Sequence, residues 1–150
     1  MTANHYRKPG WFTKHVFNNI VKGFTRLGLS VWGSRLIEVR GRKTGEPHRT
    51  AVNLLTLDGT EYLVAPRGVT QWVRNLRAAN GGLTVIIGRR RQDRVATEIT
   101  GTDAVPVLRA YLKRWKAEVG VFFDGRSADS TDEELLAIVP KHPVFVLAPR

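Results

Sequence analysis

Apolar positions recur along this chain in two rhythms, and the alternation between them marks out the elements. Phe17, Ile20, Val21, Phe24 and Leu27 repeat at helical spacing, while Lys14, Asn18, Lys22 and Arg26 form an i, i+4 polar stripe. Residues 11–28 therefore read as an amphipathic helix that stops at Gly28. Leu36 to Arg40 then alternates with period two, and Thr50 to Leu57 is a second strand-like run. The loop between them, Gly41 to Pro47, makes the pair a hairpin. Asp58-Gly59 predicts a tight turn and Glu61 to Ala65 a third strand. Beyond Pro66-Arg67-Gly68 the rhythm becomes helical again through Val69, Trp72, Val73, Leu76 and Ala79, until Asn80-Gly81-Gly82 ends it.

Leu83 to Ile87 and Arg94 to Thr100 read as a fourth and a fifth strand, joined by a turn carrying Arg89, Arg90 and Arg91. Thr102 or Asp103 is expected to cap a helix whose apolar face is Val105, Leu108, Leu112, Trp115 and Val119, with Pro106 tolerated in the first turn. Ser130 to Glu134 is a capping-box arrangement opening a short helix to Ile138, and Pro143 to Leu147 closes the chain as a strand. Tight hairpins demand antiparallel pairing, and six short strands in a small chain favour a closed or nearly closed sheet. The expected fold class is α+β, mainly antiparallel β. One domain spans residues 1–150, with an N-terminal helix within 1–30 and a barrel over 35–150.

Composition narrows the function classes. With 42% hydrophobic and 25% charged residues, the chain of 150 residues is globular. It has no cysteine, which excludes disulfides, thiolate metal sites and thiol catalysis and fits a cytoplasmic protein. No apolar run approaches the ~20 residues that span a bilayer, and no secretion signal opens the chain. The net charge is +11, and residues 1–49 hold ten Lys and Arg against two Glu. Such a field attracts nucleic acid, an acidic lipid surface or a polyanionic small molecule. The basic face of residues 11–28 is either an ordinary solvated surface or, with Trp11 and Phe12, a peripheral contact with an anionic membrane.

Several chemistries find no support. His5, His15, His48 and His142 lack metal-ligand spacing, and neither a G-x-S-x-G elbow nor a P-loop is present. No side chain is assigned as catalytic, and no metal site is expected. An enzyme built this way must draw its reactivity from a bound cofactor. The candidate site is Gly41-Arg42-Lys43-Thr44-Gly45 together with Gln71-Trp72-Val73-Arg74-Asn75-Leu76. Glycines that permit φ > 0 let backbone N–H groups converge on an anion, and Arg42 and Lys43 add charge. Trp72 either packs in the core or covers a flat ring. Asn75 needs a hydrogen-bond partner, which backbone or ligand can supply. Arg67 precedes the helix and is suited to an anion at its N-terminus.

These same residues, with Pro47, Asp58-Gly59 and the Ala65-Pro66-Arg67-Gly68 loop, resemble the deazaflavin-dependent nitroreductase family. These are actinobacterial reductases that use coenzyme F420, a deazaflavin with a phospholactyl-polyglutamate tail. The likeness runs from about Leu36 to Ile99, and more loosely to the last strand. It implies a split β-barrel, FMN-binding-like fold and hydride transfer to a quinone-like or nitroaromatic acceptor. Carried over, the tail meets Arg42, Lys43 and Thr44 and the Pro66-Arg67-Gly68 loop, and Trp72 and Asn75 complete the cofactor site. His48 and Arg49 extend the electropositive track. The loop before Trp72 departs from the family's serine-lysine-glycine-glycine pattern, and Arg67 supplies charge without a lysine's shape. The family's pocket tyrosines are not evident; Trp115, Phe122 and Phe123 are expected to form an apolar acceptor wall instead. The competing readings are a split-barrel binder of FMN or haem, and a basic nucleic-acid-binding module, which lacks interleaved aromatics. Split barrels often pair, so a dimer is compatible with the sequence.

Overall fold

The computed structural model describes residues 34–119 and 122–150. The amphipathic segment expected at residues 11–28 lies outside the described residues. Six strands form a closed antiparallel barrel: β1 (Ser34–Arg40), β2 (Pro47–Leu57), β3 (Thr60–Val64), β4 (Gly82–Ile87), β5 (Arg90–Ile99) and β6 (Val144–Pro149), in the order β1-β2-β3-β6-β5-β4. Helix α1 (Gln71–Ala78) lies between β3 and β4. Helices α2 (Val105–Val119) and α3 (Asp132–Ile138) lie between β5 and β6.

Strand alternation divides the apolar residues into two cores. Ile37, Val39, Leu54, Leu63, Val85 and Phe145 face into the barrel, where Val73 and Leu76 of α1 join them, so α1 closes one end. Leu55, Val64 and Val144 face outward and meet α2 and α3 through Leu108, Leu112 and Leu135. Inside the barrel's other end the same alternation places Arg35, Glu61 and Arg94. Arg94 Nη1 lies 3.2 Å from Glu61 Oε1. Burial draws the Arg35 guanidinium below its ordinary pKa, Glu61 opposes that shift, and Arg114 adds to it.

Several boundaries differ from the expectation, as where β2 begins at Pro47 rather than Thr50, and two of the differences have a clear local reason. Strand β5 starts at Arg90, because Arg90, Arg91 and Gln92 pair with Ile87, Ile86 and Val85. The positions there that share the inward side, Arg90 and Gln92, are polar, so hydrophobic alternation could not reveal them. The cap expected at Thr102 or Asp103 is instead part of a 3-10 turn, Gly101–Ala104, that leads directly into α2. The capping box forms as expected: Thr131 Oγ1 accepts from Glu134 N at 3.1 Å, and Thr131 N donates to Glu134 Oε1 at 2.9 Å.

Candidate functional site

The β1–β2 turn has a rigid frame. Gly41 N donates to Glu46 O at 2.7 Å, Gly45 N to Gly41 O at 2.9 Å, and Glu46 N to Thr44 Oγ1 at 3.2 Å. Arg40 Nη1 adds a bond to Gly45 O at 2.6 Å. Gly45 has φ +79°, which an L side chain rarely adopts. Gly41 is required for a different reason. A Cβ there would lie 2.6 Å from His48 Nε2, so the imidazole packs directly over the glycine backbone.

The turn is tied to α1 by one buried amide. Asn75 is 5% exposed, and its Oδ1 accepts from Arg42 N at 3.1 Å and Arg42 Nη1 at 2.8 Å. Both partners are donors, so the amide oxygen must face them. One helical turn earlier, Gln71 Oε1 accepts from Arg42 Nη1 at 2.9 Å. These bonds hold the cationic turn beside Trp72, whose ring lies 6.1 Å from that of Phe145. Trp72 is half-buried, with one side against the barrel core. Its other side lines the cleft between the turn and the helix.

Together these elements line a cleft of about 450 Å³. The turn contributes Arg42, Lys43 and Thr44, strand β2 contributes His48 and Arg49, and α1 contributes Gln71, Trp72 and Asn75. No carboxylate lines it among the described residues, although Glu38 lies 3.7 Å from Arg49 and pairs more closely, at 2.9 Å, with Arg91. The cleft is thus electropositive on one wall and aromatic on another. At the start of α1 the N-cap Thr70 makes no side-chain cap and the first turn holds no acid, so its positive dipole end is not offset locally.

Other expected residues lie elsewhere. Pro66, Arg67 and Gly68 are not among those lining the cleft, and the Arg67 guanidinium sits over the Phe122 ring at 5.4 Å. Trp115, Phe122 and Phe123, expected to form an acceptor wall, do not line the cleft. Trp115 is 1% exposed and Phe123 0%, both within the core beneath α2, and Phe122 packs against that core. Tyr111 stacks at a tilt on Trp115 at 5.0 Å, and Phe123 lies on His142 at 4.1 Å. A helical face rich in aromatics looks alike whether it meets a ligand or a second core. Gln71 heads the candidate segment but carries no role of its own in the sequence; the signal for one is an amide four residues before Asn75 on the same helix face.

The F420H(2)-dependent quinone reductase family model matches residues 13–145. Among curated proteins, none matches the chain. Among solved structures, one described as a domain-swapped dimer is 18% identical with a TM-score of 0.55, covering 93% of this chain and 98% of that one. The F420-H2 dependent reductase FDR-A is 20% identical with a TM-score of 0.53, covering 77% and 94%. HutZ, the haem storage protein from Vibrio cholerae, is 13% identical with a TM-score of 0.52, covering 88% and 89%. At these identities the structures speak for the fold, which is a split barrel. Among the described residues no helix is long and apolar enough to cross a membrane, and no cluster of His, Asp or Glu could hold a metal ion.

Proposed function

Given that the chain belongs to the F420H(2)-dependent quinone reductase family, and is therefore an F420-dependent oxidoreductase, we propose that its acceptor is quinone-like and that the cleft between the β1–β2 turn and α1 is its cofactor site. Nitroaromatic acceptors are the alternative substrate class. The carrying observation is the pinning of Arg42 to Asn75, which sets a doubly cationic turn and a half-buried indole on one cleft.

The residues fit a deazaflavin with a polyanionic tail. Lys43, His48 and Arg49 are exposed on the cationic side, where phosphate and carboxylates bind. Thr44 and the Gly41–Gly45 backbone complete that side. The exposed part of Trp72 offers a flat apolar surface for a ring. When bound, the reduced cofactor supplies the hydride. The chain supplies orientation: charge grips the tail, and the Trp72 wall fixes the ring's plane. Positioning of this kind lowers a barrier by several kcal/mol, up to about 7–11 in the best intramolecular cases.

Titration of the purified protein with F420, FMN and haem, followed by tryptophan fluorescence, tests the reading. Tight binding of F420 alone, weakened in Lys43→Ala and Trp72→Ala, is the expected result. Unchanged F420 affinity in both variants, or preference for FMN or haem, would refute the site. Turnover of the F420-loaded enzyme with a menaquinone-like and a nitroaromatic acceptor then separates the two substrate classes.

A further inference from the structure

Strand β5 runs on past the start of its neighbour β4. Its pairing with β4 ends at Val95 opposite Gly82, whereas its pairing with β6 continues to Ile99 opposite Val144. Antiparallel strands turn the backbone groups of alternate residues toward opposite neighbours. Ala96 N donates to Gly81 O at 2.8 Å, so Ala96 faces the β4 side. Glu98, two residues on, presents its N–H and C=O in the same direction. The chain has left the sheet there, since α1 ends at Ala78 and β4 starts at Gly82. Among the described residues no backbone group pairs with Glu98 on that side.

This open edge borders a second cavity, of about 360 Å³. Arg77 lines it, two residues past Asn75 and therefore on the other side of α1 from the cofactor cleft. Arg77 Nε and Nη2 donate to the Glu98 carboxylate at 3.0 and 2.8 Å, which leaves Nη1 outside that pair. The floor is apolar: Ile99, Leu136 of α3, and Val139, Pro140 and Pro143 beyond it. Leu136 is 37% exposed, the one large hydrophobic left open to solvent among the described residues. Charges alone blunt a strand end that meets only water. An unpaired edge set beside an apolar cavity and an open leucine has the makings of a contact surface.

We propose that this cavity docks an extended segment of a partner protein, which adds to the β5 edge at Glu98 and lays one large apolar side chain over Ile99 and Leu136. The backbone selects this ligand class. An N–H and a C=O that point the same way from one residue are matched by the C=O and N–H of a residue in a facing strand. Alternation then fixes the order of side chains in the segment. The residue opposite Glu98 shares its face, meets the Arg77 guanidinium and is polar. Its neighbour, on the face of Ile99, is the apolar anchor. With so few backbone pairs available the contact is weak and transient, at the low end of interface sizes. The inference is independent of the cofactor reading.

The Glu98 amide proton reports on the edge directly. In dilute full-length protein it should exchange fast, as an uncovered group does. The probes are capped pentapeptides, acetyl-Thr-Thr-X-Thr-Thr-amide, with X as Leu, Ile, Phe or Ala. At least one of the three large apolar peptides should shift the Glu98 amide and the Leu136 and Val139 methyls together in NMR spectra, and slow exchange at Glu98. The Ala peptide should bind roughly tenfold less well. Methylating the backbone nitrogens of the two threonines beside X should abolish binding, because one of them must pair with Glu98. Leu136→Ser, at the exposed rim, should weaken binding severalfold while circular dichroism and F420 affinity stay those of the parent. A Glu98 amide already protected in the free, dilute protein overturns the proposal, since the chain itself then covers the edge. Protection that grows with protein concentration does so by identifying a second copy as the occupant. Silence of all three apolar peptides up to millimolar concentration overturns it, as does full affinity in Leu136→Ser. Binding that survives the methylation overturns it too, by marking the cavity as a site for a small apolar molecule.

Discussion

Asn75 Oδ1 accepts a hydrogen bond from the Arg42 backbone and another from its guanidinium, at 3.1 and 2.8 Å. This one buried atom joins two segments 33 residues apart in sequence. It converts a charged hairpin turn into a fixed wall of the cleft. In the proposed cofactor site the amide would be a positioning group, acting through Arg42.

Asn75→Ala should weaken F420 binding by roughly tenfold or more and lower stability by about 1–3 kcal/mol, because Arg42 loses its partner and a cavity remains. Asn75→Asp keeps both acceptor bonds and should restore most of the affinity. Fluorescence titration and urea unfolding measure the two effects. Equal losses in Ala and Asp variants would show that the hydrogen bonds are not what matters.

Lys43 is exposed on the cationic turn, so Lys43→Ala should leave stability within about 0.5 kcal/mol of the parent. Its effect should appear in F420 affinity and in a shallower dependence of that affinity on salt, since one screened attraction has gone. Affinity measured across a range of ionic strengths would expose a salt slope that does not change.

Gly41→Ala should cost about 1–3 kcal/mol and disturb the cleft, because the new methyl meets the His48 ring at 2.6 Å. The same change in a His48→Ala background should cost much less. A double-mutant cycle on unfolding free energy reads this coupling directly. Additive losses would mean that the clash is relieved in some other way.

Glu61 stands on the inward side of β3 beside Arg94, and its charge also favours the Arg35 guanidinium. Glu61→Gln should destabilise the barrel by about 1–3 kcal/mol, a figure reduced from the fully buried case because these side chains keep some solvent access. F420 affinity should not change, since this end of the barrel is opposite α1. Chemical denaturation and titration of the same variant test both halves of the statement.

Trp115 belongs to the core beneath α2. Trp115→Ala should therefore cost about 3–5 kcal/mol of stability, while Trp115→Phe should fold and keep the parent's KM for acceptor. A selective change in acceptor KM in the Phe variant would return this residue to the substrate site.

Local rules made most of the elements legible. Period-two alternation, Asp58-Gly59, Asn80-Gly81-Gly82 and the Thr131–Glu134 box act within a few residues of themselves, so their meaning does not depend on the rest of the chain. The early part of β5 escaped because the residues there on the inward side, Arg90 and Gln92, are polar and show no hydrophobic period. The candidate site was legible as two motifs, Gly41–Gly45 and Trp72–Asn75, each with the residue types that an anionic, flat cofactor needs. Their meeting was not, since the bond from Asn75 to Arg42 depends on how α1 closes the barrel. Tertiary structure also decided which core each aromatic enters. Trp72 and Trp115 both lie on apolar helix faces, and only barrel closure, which creates an inside and an outside, sends one to the rim of a cleft and buries the other beneath α2.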